Sequence, residues 1–231
     1  MANMKITKAS QLTASDLAFG DIRKNDLGGK FIPLKYSTGE KLYVQMPALR
    51  TPFGLSSMTD QATGRTSYTV PLSFDLGSPV AEELVKVIAD LDEKVVQHVH
   101  ENCKTLMGKQ HKIDILREGL YRPILTPSKD PEKYGPTLKL KVLQDRNTGD
   151  FVPEAYNNHK QPVDLDSLER GATAESIVEF VHAYVIDGKF GVSVRLSQIK
   201  MGASQKLAGY AFQDDDAPIQ TMMEDEMDDL A

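Results

Sequence analysis

Ile177-Val178-Glu179-Phe180-Val181-His182-Ala183-Tyr184-Val185-Ile186-Asp187-Gly188-Lys189-Phe190-Gly191-Val192-Ser193-Val194-Arg195-Leu196-Ser197-Gln198-Ile199-Lys200-Met201 is the stretch that decides how this chain folds. Its two halves alternate in the manner of strands on either side of Asp187-Gly188, the favoured chemistry of a two-residue type I′ turn. Residues 177–186 and 189–201 therefore read as a hairpin whose register the turn dictates. Ala183 is expected opposite Val192, Val181 opposite Val194 and Glu179 opposite Leu196, largely a core face. On the other face Tyr184 is expected opposite Gly191, His182 opposite Ser193 and Phe180 opposite Arg195. An aromatic-rich face carrying a basic residue follows.

Three more strands precede the hairpin. In 41–46, Leu42, Val44 and Met46 point one way and Lys41, Tyr43 and Gln45 the other, until Pro47 and Pro52 break the pattern. In 65–75, Tyr68, Val70, Leu72 and Phe74 share a face. In 137–143, Leu138, Leu140 and Val142 point inward and Lys139 and Lys141 outward. One long helix is expected over 79–107. Ser78 caps it, Pro79 takes the tolerated first position, and Glu82 and Glu83 suit the positive end. Val80, Leu84, Val87, Ile88, Leu91, Val95, Val99, Cys103 and Leu106 then form one apolar stripe that Gly108 ends. Residues 109–136 read as irregular, with a strand within 113–125, and residues 1–30 as a loosely packed arm. Strands around one helix, without βαβ alternation, indicate a mainly β chain, a barrel or sandwich with an inserted helix.

With 231 residues, 40% hydrophobic and 26% charged, the chain has an ordinary globular composition, which excludes wholesale disorder. No apolar run approaches the roughly 18–20 residues needed to span a bilayer, and the amino terminus has no secretory pattern. The single cysteine, Cys103, excludes an internal disulfide and fits a reducing, intracellular compartment. Net charge is −6, unevenly spread. After Lys206 there is no Lys or Arg, whereas Asp214, Asp215, Asp216, Glu224, Asp225, Glu226, Asp228 and Asp229 supply eight negatives. The body thus carries 27 basic against 25 acidic residues, opposite in sign to its tail.

The residues offer no catalytic or metal chemistry. His98 and His100 are two apart on the helix and point about 200° apart, so they cannot share a metal. Cys103 continues the apolar stripe and reads as a buried thiol. Gly28-Gly29-Lys30 lacks the spacing of a phosphate loop, and the tail carboxylates lack that of a calcium loop. The chain reads as a non-enzyme with no cofactor.

Cations and rings on the outer faces of strands suit single-stranded nucleic acid, because cations track phosphates and flat rings stack on exposed bases. The candidate DNA-binding residues are Lys41, Tyr43, Arg50, Tyr121, Arg122, Lys139, Lys141, Phe180, Tyr184 and Arg195. The competing readings are a solvated strand face for Lys139 and Lys141, and a core position under the helix for Phe180 and Tyr184. The acidic tail reads either as a solubilising terminus or as a DNA mimic that competes for the basic groove and docks partner proteins.

The order of elements carries a resemblance: a strand-rich start, one central helix, a hairpin ending Phe190-Gly191-Val192-Ser193-Val194-Arg195-Leu196-Ser197, then an acidic tail. It resembles the single-stranded DNA-binding proteins of short-tailed bacteriophages and their relatives in large DNA viruses of algae and protists, with the sequence similarity concentrated around residues 176–212. The resemblance implies an OB-fold-like barrel over 31–210, coating of single strands in replication and recombination, a homodimer, and a disordered tail (211–231) that contacts replication proteins. Phage tails end in an aromatic residue, and here Leu230 or Met227 would take that place. No membrane association is expected, and a viral origin would place the protein in the host cytoplasm or nucleus. The alternative is a viral structural or interaction protein with a β-sandwich and an acidic protein-binding tail.

Overall fold

The computed structural model describes residues 4–26 and 28–202. In chain order its strands are β1 (Ile6–Lys8), β2 (Leu17–Phe19), β3 (Arg23–Lys24), β4 (Lys30–Tyr36), β5 (Leu42–Arg50), β6 (Ser56–Thr59), β7 (Thr66–Ser73), β8 (Tyr121–Arg122), β9 (Leu125–Thr126), β10 (Thr137–Val142), β11 (Glu154–Tyr156), β12 (Pro162–Val163), β13 (Thr173–Ile186) and β14 (Lys189–Met201). Helices α1 (Pro79–Glu101), α2 (Cys103–Met107) and α3 (Ile113–Ile115) lie between β7 and β8. The acidic tail lies outside the described residues.

Five of these strands close a ring. β5 pairs with β7, β7 with β10, β10 in parallel with β14, β14 with β13, and β13 back with β5. This mostly β arrangement is consistent with an OB-like fold. It differs from the two-sheet sandwich because β13 is long enough to pair along both edges and carry the hydrogen bonding around the ring. The interior is filled by the alternate residues that the strand patterns select, among them Leu42, Val44, Val70, Leu72, Leu138, Leu140, Val178 and Leu196.

The ring is backed by α1. Ser78 Oγ accepts from the Ala81 amide at 3.4 Å, Pro79 occupies the first turn, and the buried stripe runs through Leu84, Ile88, Leu91, Val95 and Val99. The helix does not continue unbroken to residue 107. Asn102 leaves helical geometry and its Nδ2 donates to the His98 carbonyl, after which α2 restarts and ends on Gly108 in the left-handed region. Cys103 is buried and its Sγ donates to the Lys109 carbonyl at 3.2 Å.

The hairpin differs from its simplest register in one decisive place. Asp187 and Gly188 both have positive φ, and the pairs from Ile186↔Lys189 to His182↔Ser193 stand as the turn dictates. Between His182 and Phe180 the register then shifts, leaving Val181 unpaired as a bulge, and it shifts back between Val178 and Ile177. In the intervening stretch Phe180 faces Val194, and Glu179, not Phe180, faces Arg195. Phe180 is accordingly 1% exposed and belongs to the core. A bulge adds local twist and coil, which a strand bent around a small ring requires.

Two other expectations are corrected. The segment before Lys30 is packed, not loose: Ala9, Leu12 and Leu17 are buried and β1 pairs in parallel with β5. Lys94 of α1 holds it there, its Nζ donating to the carbonyls of Ala14 at 2.7 Å and Leu17 at 2.6 Å. The strand expected within 113–125 is present only as the two-residue β8, and the irregular stretch before it is instead a helical turn, since Leu116–Leu120 continues α3 as a π-helix. The turn is fastened to α1 by Arg117, which bonds both carboxylate oxygens of Glu93 at 2.8 and 3.1 Å.

Candidate nucleic-acid interface

β8, β9, β10 and the end of the hairpin bound an open groove of about 840 Å³. Arg122, Lys139, Lys141 and Lys189 line it, with Asp187 as the one acidic residue among the lining. Tyr184 and His182 supply rings, and Ile186 is an exposed apolar side chain at the hairpin end. Strand alternation puts Lys139 and Lys141 on the side of β10 opposite the buried Leu138 and Leu140. The same alternation puts His182 and Tyr184 together on β13, opposite Ala183 and Val185, which are buried.

Burial and neighbouring charge hold two of these groups below their ordinary values. Desolvation by the surrounding walls holds the Lys141 ammonium below the ordinary lysine value. His182 is held below the ordinary histidine value, first by burial and then by the charges of Lys141 and Arg195. It is therefore a neutral ring near pH 7, packed 5.4 Å from the Phe31 ring. Gly191, opposite Tyr184, leaves room for the phenol: a Cβ there would stand 2.7 Å from Tyr184 Oη and 3.0 Å from the Arg122 carbonyl. Cations beside stackable rings can hold phosphates and exposed bases together.

Of the ten residues expected from the sequence, the groove gathers Arg122, Lys139, Lys141 and Tyr184. Phe180 is excluded by the bulge. Tyr43 is also withdrawn from any stacking role, being 8% exposed, because β1 and β13 pair along both edges of β5 at that point. Tyr121 packs its ring on Phe190 and donates its hydroxyl to Asp92, so it is a wall support and not a free platform. Arg195 is bonded to the buried carboxylate of Glu179, and exposed Lys41 lies 3.9 Å from the same group. Arg50 sits apart, in a cleft with Ser73 and Asp75.

Reading the sequence alone missed Lys189 and the groove role of His182. The turn geometry carried a signal for both, since it places His182 on the Tyr184 face and Lys189 at the first position after the loop. Among the described residues, no three His, Cys, Asp or Glu side chains come together as a metal site, and no helix is long and apolar enough to cross a membrane.

Residues 72–214 match the sequence profile of a family of unknown function (DUF5871). The chain belongs to that family. The match runs from the end of β7 through α1, β10 and the hairpin, and includes every residue that lines the groove except Thr69. No curated protein matches the chain significantly. Among solved structures, similar ones include gp2.5, a single-stranded DNA binding protein encoded by bacteriophage T7, at 16% identity and a TM-score of 0.48, covering 83% of this chain and 100% of that one. Another is the single-stranded DNA-binding protein of bacteriophage Enc34 in complex with ssDNA, at 9% identity and a TM-score of 0.42, covering 84% of this chain and 98% of that one.

Proposed function

We propose that this protein is a non-enzymatic single-stranded DNA-binding protein that holds the strand in the groove between β8, β9, β10 and the β13–β14 hairpin. The observation that carries the reading is the convergence of Arg122, Lys139, Lys141 and Lys189 around the Tyr184 and His182 rings. Phosphates would run along the cations and bases would stack on the rings, a mode tolerant of sequence. On this reading an OB-like barrel coats single strands during replication and recombination, as a homodimer, in a virus-infected cell. The acidic tail, with Asp214 to Asp216, Glu224 to Glu226, Asp228 and Asp229, competes with DNA for the groove, and through Leu230 it docks replication proteins.

A gel shift with a labelled thymidine oligonucleotide at 50 and 200 mM salt tests the reading. Four phosphate contacts predict a log–log salt slope of about −3 for single strands. Absence of binding at 50 mM, or affinity indifferent to salt, overturns it.

A further inference from the structure

One wall of the groove is a four-residue segment with little structure of its own. Tyr121, Arg122, Pro123 and Ile124 connect the π-helical turn to β9, and three of them line the groove. β8 pairs with β14 through only two register positions, Tyr121↔Phe190 and Arg122↔Gly191. Such a short edge pairing does not by itself hold an exposed arginine in one place. Both ends of the segment are tied to the same side chain on α1. The Tyr121 hydroxyl and the Ile124 amide both donate to Asp92 Oδ1, the latter at 3.2 Å. Asp92 stands on the half-buried flank of a helix whose neighbouring Leu91, Val95 and Val96 are fully buried, so the anchor cannot swing.

We infer that Asp92 is the positioning residue of this interface: from behind the groove it clamps Tyr121 and Ile124 and thereby sets where Arg122 meets the strand. The inference rests on the reading of the groove as a single-strand path. A carboxylate suits this role because it can accept two hydrogen bonds at one oxygen while remaining fixed by a helix. The clamp also explains the placement of Tyr121, whose ring closes against Phe190 and whose backbone delivers Arg122 over side-chain-free Gly191. Burial raises the Asp92 carboxyl to about 6, which marks how far the group has been taken from water.

The test uses the full chain with a labelled thymidine oligonucleotide at 50 and 200 mM salt, together with amide exchange across the β8–β14 pairing. Asp92→Leu is expected to speed exchange at Tyr121, Arg122 and Gly191. It should make the salt slope shallower by about 0.7, the share of one phosphate contact, as Arg122→Ala does. The double variant should be no shallower than either single one, and Asp92→Asn, which keeps an acceptor oxygen, should restore the slope. Should Asp92→Leu fail to fold, Tyr121→Phe removes one of the two bonds alone and should show the same exchange effect. A folded Asp92→Leu with unchanged exchange, or one whose effect adds to that of Arg122→Ala, overturns the inference. If Arg122→Ala leaves oligonucleotide binding unchanged, the groove reading fails, and exchange at β8 still decides whether Asp92 holds the wall.

Discussion

Lys141 and Tyr184 meet across β14, the ammonium standing 6.0 Å from the centre of the phenol ring. Their strands are not neighbours, since β10 pairs with β14 and β14 with β13. The contact exists because Gly191 lets the ring lie over β14 toward the lysine. A cation and a stacking surface are thus presented side by side, the lysine drawn to the ring face.

Tyr184→Ala should weaken oligonucleotide binding by about 1–3 kcal/mol, the usual worth of one stacked base, with little change in thermal stability because the ring is half-exposed. Gly191→Ala should show a similar loss, since its methyl would occupy the space of Tyr184 Oη. Fluorescence titration of both variants checks this, and full affinity in either would remove the ring from the interface.

Phe180→Ala should behave in the opposite manner. A 1%-exposed ring in the barrel interior predicts a loss of about 3–5 kcal/mol in denaturant unfolding. Protein that remains folded at low temperature should bind oligonucleotide with near-normal affinity. Weak binding by a stable variant would instead mean that the bulge opens on binding.

Glu179 neutralises Arg195 at the side of the ring, with Lys41 3.9 Å away. Glu179→Gln should destabilise the fold by about 1–3 kcal/mol, because a largely buried charge partner is removed. It should tighten oligonucleotide binding at 50 mM salt by releasing positive charge, and less so at 200 mM. Affinity no tighter than that of the wild type at 50 mM salt would show that Arg195 does not sense the strand.

Asp92 predicts a pH dependence with a definite sign. Its carboxyl is raised from 3.8 to about 6, chiefly by burial, so the folded state binds its proton more tightly than the unfolded chain does. That contribution is fully present below about pH 4 and is lost as pH rises through 6, at most about 3 kcal/mol. His182 and His98, both held below the ordinary value by burial, act oppositely as pH falls through 6.5. The difference between wild type and Asp92→Asn isolates the carboxyl: the variant should gain relative stability between pH 4 and 7 in urea melts. A constant difference across that range would place the Asp92 carboxyl at its ordinary value.

A stop after Phe212 removes all eight tail carboxylates and leaves β14 intact, since β14 ends at Met201. The truncated protein should bind oligonucleotide more tightly, and the gain should shrink as salt shortens the Debye length to about 3 Å at 1 M. Unchanged affinity at low salt would reduce the tail to a solubilising terminus.

Local chemistry determined the parts of this protein that repeat over short distances. Alternation marked the interior faces of β5, β7 and β10, and Ser78-Pro79 marked the start of α1. Asp187-Gly188 set the hairpin, and its register stands at both ends, from Ile186↔Lys189 to Ala174↔Met201. The packed segment before Lys30 was not legible, because what holds it is a lysine about 80 residues later in the chain.

The outward cations of β10, the Tyr184 face and the opposite charges of body and tail were all present in the sequence by itself. Only the tertiary structure decided which of them converge. Closing five strands into a ring demands extra coil, and the bulge at Val181 that accommodates it turns Phe180 inward while leaving Tyr184 outward. A period-two pattern cannot reveal such an insertion, since both registers keep an alternating sequence. Likewise Arg122 belongs to the groove because Asp92, 30 residues earlier, ties its flanks to α1, and Tyr43 is lost to it because β1 covers an edge the sequence left open.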